Sequence, residues 1–213
     1  MTAPAVSSRR AHTRDRVMDA AIALFAEKGV LAASVEEICE RAGFTRGAFY
    51  SNFESRDDLM IAVVERKGRE ILAAAEKAVA SIPDEPVEQA SVDDVIRHAM
   101  AVFQASHPID PQWLIARGEM RLYALRTPAT RDALRAVEAS LDGLLIAAIE
   151  DVVSGKGARL AIPAERLVLL LNAYQEALAF RHLLNGQDAG ASQWAATLAE
   201  LVRELVHFGP PRP

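Results

Sequence analysis

The stretch "AGFTRGAFYSNFESRDDL", Ala42–Leu59, places two phenylalanines, Phe49 and Phe53, four residues apart, with Thr45, Arg46, Tyr50, Ser51 and Asn52 around them. Residues four apart share one face of a helix, so Phe49 and Phe53 can lock the segment onto a core while the polar side chains face elsewhere. Gly43 precedes the segment and suits the left-handed turn that ends a helix. Thr45 is positioned to cap the next helix, and Ser55 a further one whose first turn holds Asp57 and Asp58, complementing the positive helix end.

Upstream, Val17, Ala20, Ala21, Leu24 and Phe25 have the spacing of an amphipathic helix over about 13 to 28 that ends at Gly29. Ser34 and Glu37 have the spacing of a capping box, with Val35 and Ile38 pointing inward. Three short helices, the second and third joined by a glycine-containing turn, match the helix-turn-helix arrangement, whose last helix enters the DNA major groove. The alternative reading of the same residues is a three-helix bundle with a solvated polar face.

The rest of the chain also reads as helix. Helices are predicted from Ser55 to about Ser81 and near 91 to 106, 110 to 126, 128 to 154, 163 to 185 and 189 to 207. Their entrances include Asp110–Pro111 and Thr127–Pro128 and their exits Gly155, Gly186 and Gly209. No strand-like alternation bounded by hairpin turns is found, so the expected fold is all-α with about nine helices. The expected division is a disordered arm over 1–12, a helix-turn-helix domain over 13–54 and a helical domain over 55–208. The segment "SIPDEPVEQAS" is the clearest break in periodicity.

Composition narrows the function. The 213 residues suffice for a core without staples, and the single cysteine, Cys39, excludes an internal disulfide; it reads more simply as packing than as a redox sensor. The net charge of −5 is uneven: Met1 to Asn52 carry seven cationic against six acidic side chains, so an anionic partner should meet that end. Arg9, Arg10 and Arg14 read equally as an arm touching DNA or as a solubilising tail. Aliphatic runs such as Leu167 to Leu171 are far too short to cross a bilayer, and no secretory signal is visible, so a soluble cytoplasmic protein is the default. His12, His98, His107, His182 and His207 show no metal-ligand spacing, and no nucleophile elbow, P-loop or dinucleotide motif is present. No metal, no cofactor, no catalytic residues and no enzymatic activity are expected.

From Thr13 to Glu65 the chain resembles the DNA-binding domain of TetR-family transcriptional regulators, on the pieces "AAIALFAEKGV", "SVEEICERAGFTRGAFYSNF" and "SRDDL". The resemblance implies that Tyr50 holds one DNA phosphate and Arg56, which opens the fourth helix, another. Chemistry adds Ser34 and Thr45 as phosphate contacts, Arg46 and Asn52 as residues able to pair with base edges, Gly47 as a close-approach position and Ser51 on the same exposed face. The resemblance further implies a homodimer whose C-terminal domain binds a small-molecule effector and whose last two long helices form the interface. The residues agree: 163–185 is apolar nearly all round, and 189–207 carries a stripe of Trp194, Leu198, Leu201, Val202 and Leu205. The expectation is therefore a ligand-released repressor on a palindromic operator. The rival is an architectural or division-linked DNA-binding protein of the same fold without an effector. Candidate ligand contacts are Met100, Phe103, Trp113, Arg117, Met120, Tyr123, Asn172, Tyr174 and Gln175, though any one of them reads more simply as plain core.

Overall fold

The computed structural model describes residues 4–80, 110–155, 158–186, 199–200 and 202–208. Its elements are α1 (Pro4–Ala32), α2 (Val35–Ala42), α3 (Arg46–Tyr50), α4 (Arg56–Ala80), α5 (Pro111–Arg126), α6 (Pro128–Gly155), β1 (Ala158–Leu160), α7 (Ala164–Leu184) and β2 (Val206–Phe208). The all-α expectation holds for the helices. It missed a two-stranded antiparallel ribbon in which Arg159 pairs with His207. Three residues per strand are too few to show alternation, and the ribbon depends on partners far apart in sequence. It also cuts short the helix expected over 189–207: residues 199–200 and 202–205 are helical, and 206–208 are strand. The helix expected near 91 to 106 lies outside the described residues.

Contacts divide the chain into two compact units, one formed by Met1–Lys67 and Asp110–Glu138, the other by Gly68–Ile109 and Ala139–Pro213. In the first unit α5 lies along α1. Ala116, Met120 and Ala124 recur every four residues and are buried with Val17, Ala21, Phe25, Ile38, Phe49, Phe53, Leu59 and Val63. A large side chain fully withdrawn from water contributes about 1.5–3 kcal/mol, so Met120 ties α5 into the core of the three N-terminal helices. In the second unit Leu167, Leu171 and Val202 are buried together, with Ile149, Leu160, Tyr174 and Leu178 packed against them.

Capping signals in the first unit act as the sequence predicts. Ser34 accepts a bond from the Glu37 amide while the Glu37 carboxylate accepts from the Ser34 amide, closing the capping box. Gly43 ends α2 at φ +75°, with its N–H donating to the Cys39 and Glu40 carbonyls. Gly29 breaks the helical path of α1 at φ +79°, ψ 162°, a conformation that only glycine adopts readily. Helix α1 departs from expectation at its other end: it begins at Pro4, so the segment read as a disordered arm is helical from that residue on.

Candidate nucleic-acid interface

The exposed face is built on α3, five residues too short to be stable alone. Its anchor is Phe49 and Phe53, 0% and 1% exposed, with ring centroids 5.6 Å apart. The Thr45 hydroxyl caps its start by accepting from the Ala48 amide at 3.3 Å. Outward from this anchor stand Thr45, Arg46, Gly47, Tyr50 and Ser51, all exposed. Tyr50 is 51% exposed, although its ring rests edge-on against Phe49 at 5.2 Å. Gly47 faces open space: a methyl group added there would meet nothing nearer than the Thr45 hydroxyl at 3.8 Å. Backbone can therefore come close to whatever this face meets.

Electrostatics on this face are partly self-satisfied. Arg46 pairs with Glu36 of α2 and lies 5.9 Å over the Tyr50 ring. Tyr50 first, and then Glu36, raise the Arg46 pKa above its ordinary value. At the edge of the face Glu37 is held down to about 2, first by the bond from Lys28 and then by the Ser34 amide and hydroxyl. That carboxylate therefore stays charged and keeps Ser34 turned toward its own helix.

Three expected contact residues are engaged inside the domain. Asn52 is half-buried; its Nδ2 donates to the Ala48 carbonyl at 2.8 Å and to the Ser51 hydroxyl at 3.2 Å, and its Oδ1 accepts from Arg10 at 3.4 Å. An amide bonded on both sides must give up these bonds to reach a base edge. Ser34, also half-buried, is occupied by Glu37. Arg56 donates through Nη1 to the carbonyls of Leu31 and Ala33, each at 3.2 Å, and stacks 5.5 Å from the Tyr123 ring. It ties the start of α4 to the turn between α1 and α2.

Asp57, the next residue, does more than complement the helix dipole. Its carboxylate accepts a bond from the Tyr123 hydroxyl of α5 at 3.0 Å and another from the Thr130 hydroxyl of α6. Thr130 is 4% exposed. Asp58 does the local capping, accepting from the Glu54 amide at 3.0 Å, while its own amide donates to Ser55 at 3.0 Å. No spacing in the sequence links residue 57 to 123 and 130; only packing of α5 beside α1 makes the connection.

The candidate ligand residues fall into separate groups. Met120 is fully buried in the first core, with Trp113 and Tyr123 packed against it. Arg117 and Arg121 of α5 both approach Glu138, with Nε at 4.0 Å and 2.8 Å. Asn172, Tyr174 and Gln175 are half-buried in the second unit, and Met100 and Phe103 lie outside the described residues. The α5 side chains therefore carry packing and polar links of the first unit, a role that a helical apolar stripe does not distinguish from a cavity wall. Cys39 is buried, and burial pushes its thiol pKa up. Among the described residues no group of three or more His, Cys, Asp or Glu side chains is placed to hold a metal ion, and no helix is long and apolar enough to cross a membrane.

Comparison with known proteins gives the same region a family. Residues 17–63 match the family described as bacterial regulatory proteins, tetR family. The uncharacterized HTH-type transcriptional regulator YwcC of Bacillus subtilis is 26% identical over 118 residues, 54% of this chain and 51% of that protein. The HTH-type transcriptional regulator AcrR of Shigella flexneri is 35% identical over 75 residues, 35% of each chain. The chain thus spans about half or less of the length of these curated relatives. Among solved structures, a Rhodococcus sp. protein assigned to the TetR-family transcriptional regulators is similar over 92% of this chain and 98% of its own, with a TM-score of 0.72 at 18% identity. The transcriptional regulator FadR from Bacillus subtilis, solved in complex with stearoyl-CoA, covers 88% of this chain and 96% of its own, with a TM-score of 0.64 at 17% identity. At such identities the structural likeness speaks for the fold alone.

Proposed function

We propose, from the match of residues 17–63 to the family described as bacterial regulatory proteins, tetR family, that the chain is a transcriptional regulator that binds double-stranded operator DNA as a homodimer and is released by a small-molecule effector. The observation that carries the DNA-binding part is the exposed face of α3, with Thr45, Arg46, Gly47, Tyr50 and Ser51 presented over a fully buried Phe49 and Phe53. Such a face supplies hydroxyls for phosphate, a guanidinium for a base edge and a glycine for close approach.

Dimerisation is supported by apolar side chains left outside on the second unit. Leu169 and Leu170 of α7 are 67% and 46% exposed, and Leu184 at its end 86%. Exposed leucines on a helix that also buries Leu167, Val168 and Leu171 call for a further apolar partner, and a second copy of the same face supplies one. Two recognition helices then read half-sites about 34–36 Å apart, or a multiple of that.

Release by an effector needs a mechanical link between the DNA-reading face and the later helices. Asp57 and Arg56 form the proposed link: Asp57 holds Tyr123 and Thr130, and Arg56 holds the carbonyls that enter α2. An effector that favours a different setting of α5 and α6 weakens DNA binding by its differential affinity for the two settings, typically about 1–3 kcal/mol. The test is selection of bound fragments from a genomic library, followed by sedimentation of the protein on the selected duplex. Enrichment of a palindrome bound by two chains is the expected result; fragments without a common sequence would refute the regulator. A thermal-shift panel of acyl-CoA thioesters and apolar metabolites, beginning with stearoyl-CoA, then tests release, and no stabilisation by any member would favour the effector-free alternative.

A further inference from the structure

Arg10 and Arg14 lie one helical turn apart on α1 and reach the far end of α3. Arg10 Nη2 donates to the Ser51 carbonyl at 2.9 Å, and its Nε to Asn52 Oδ1 at 3.4 Å. Arg14 Nη1 donates to the Asn52 carbonyl at 2.9 Å, and its guanidinium lies 4.5 Å over the Phe53 ring. Three earlier carbonyls are answered from within the segment: Gly47 by the Ser51 amide, Ala48 by the Ser51 hydroxyl and the Asn52 side chain, Phe49 by the amides of Asn52 and Phe53. Arg10 thus supplies a donor for the carbonyl of Ser51, the C-cap of α3, and Arg14 one for the Asn52 carbonyl just past it.

A five-residue helix has almost no cooperative stability of its own, and its last carbonyls need donors from outside. Cations at a helix C-terminus also meet the negative end of its dipole, and charge-assisted bonds from a planar guanidinium fix direction as well as distance. We propose that Arg10 and Arg14 are positioning residues of the recognition helix: they cap its C-terminus and set the angle at which Tyr50 and Ser51 are presented, rather than forming an arm that holds DNA. The proposal rests on the DNA-binding reading of α3, but the cap itself is a property of the free protein. It also accounts for Asn52, whose side chain lies between the cap and the Ala48 carbonyl.

The test compares Arg14→Lys and Arg10→Lys with the corresponding alanine variants, each as the full chain. Lysine keeps the charge but lacks the fork that reaches a carbonyl and stacks on a ring. In the free protein, amide exchange at Ser51, Asn52 and Phe53 should quicken in Arg14→Lys as much as in Arg14→Ala, with the global unfolding midpoint little changed. On DNA, the lysine variants should lose about tenfold in affinity for a selected site while affinity for a scrambled duplex and the slope of binding against salt stay as in the parent. Lysine variants that match the parent in exchange and in discrimination, beside alanine variants that lose affinity for both duplexes and about one unit of salt slope, would make these residues phosphate contacts and overturn the proposal. If the parent itself fails to prefer any duplex, the DNA-binding reading fails, and the exchange data still decide whether the cap exists.

Discussion

Phe49 and Tyr50 are neighbours on one short helix with opposite surroundings, and replacing each by alanine separates anchoring from recognition. Phe49 is 0% exposed and contacts Phe53 and Tyr50 with ring centroids at 5.6 and 5.2 Å. Truncating a buried phenylalanine costs about 3–5 kcal/mol, and the two aromatic contacts place Phe49→Ala toward the upper end. Against a domain stability of about 5–15 kcal/mol, this lowers the melting temperature by upwards of about 10 °C. Tyr50→Ala loses the edge contact with Phe49, about 0.5–1.5 kcal/mol, and the exposed contact of Arg46 over its ring, about 0.5–1 kcal/mol, and little more, because half of the residue already faces water. On DNA the order reverses. Tyr50→Ala should lower affinity for selected and scrambled duplexes alike, as loss of a phosphate contact does. Thermal unfolding followed by circular dichroism and duplex binding by fluorescence anisotropy, at a temperature where both variants are folded, measure the two effects. Tyr50→Ala unfolding as early as Phe49→Ala while binding DNA normally would refute the assignment of inner and outer faces.

Three further outcomes follow from the polar contacts. Glu36→Gln removes the partner of Arg46 and one negative charge beside the proposed phosphate path, so DNA affinity should rise a few-fold at low salt; unchanged binding in the same anisotropy assay would show that the pair does not compete with DNA. Glu37 has its folded pKa at about 2 against an ordinary 4.5, so its stabilising contribution is complete above about pH 4.5 and is lost as pH falls through 2. The melting temperatures of the parent and of Glu37→Gln should therefore lie furthest apart at neutral pH and converge toward pH 2, and a gap that does not vary with pH would count against the capping box as its source. Asp57→Ala leaves the Tyr123 and Thr130 hydroxyls without their acceptor, at a cost of about 1–3 kcal/mol in urea unfolding, whereas Tyr123→Phe, which removes one bond of the pair, should cost about 1 kcal/mol. Equal midpoints for all three proteins would remove Asp57 as a link between α4 and the α5–α6 segment.

Local signals settled the local structure here. The Phe49–Phe53 spacing, the Ser34–Glu37 capping box, the Gly43 stop and the Thr45 and Ser55 caps each depend on residues within about one helical turn, and each is present as read. The exposure of Arg46, Gly47, Tyr50 and Ser51 follows from the same periodicity, since fixing one face of a helix fixes the opposite one. Tertiary packing decided what those polar groups do. Asn52, Arg56, Arg10 and Arg14 look like nucleic-acid contacts by residue type, yet their donors meet carbonyls and an amide brought close by folding. Placing α5 in the first unit, and Asp57 between Tyr123 and Thr130, also required the packed chain. Spacing along a helix reports which side chains share a face, but a guanidinium or carboxylate takes whichever partner the fold brings within about 3 Å, and partners 23 to 73 residues away leave no period in the sequence.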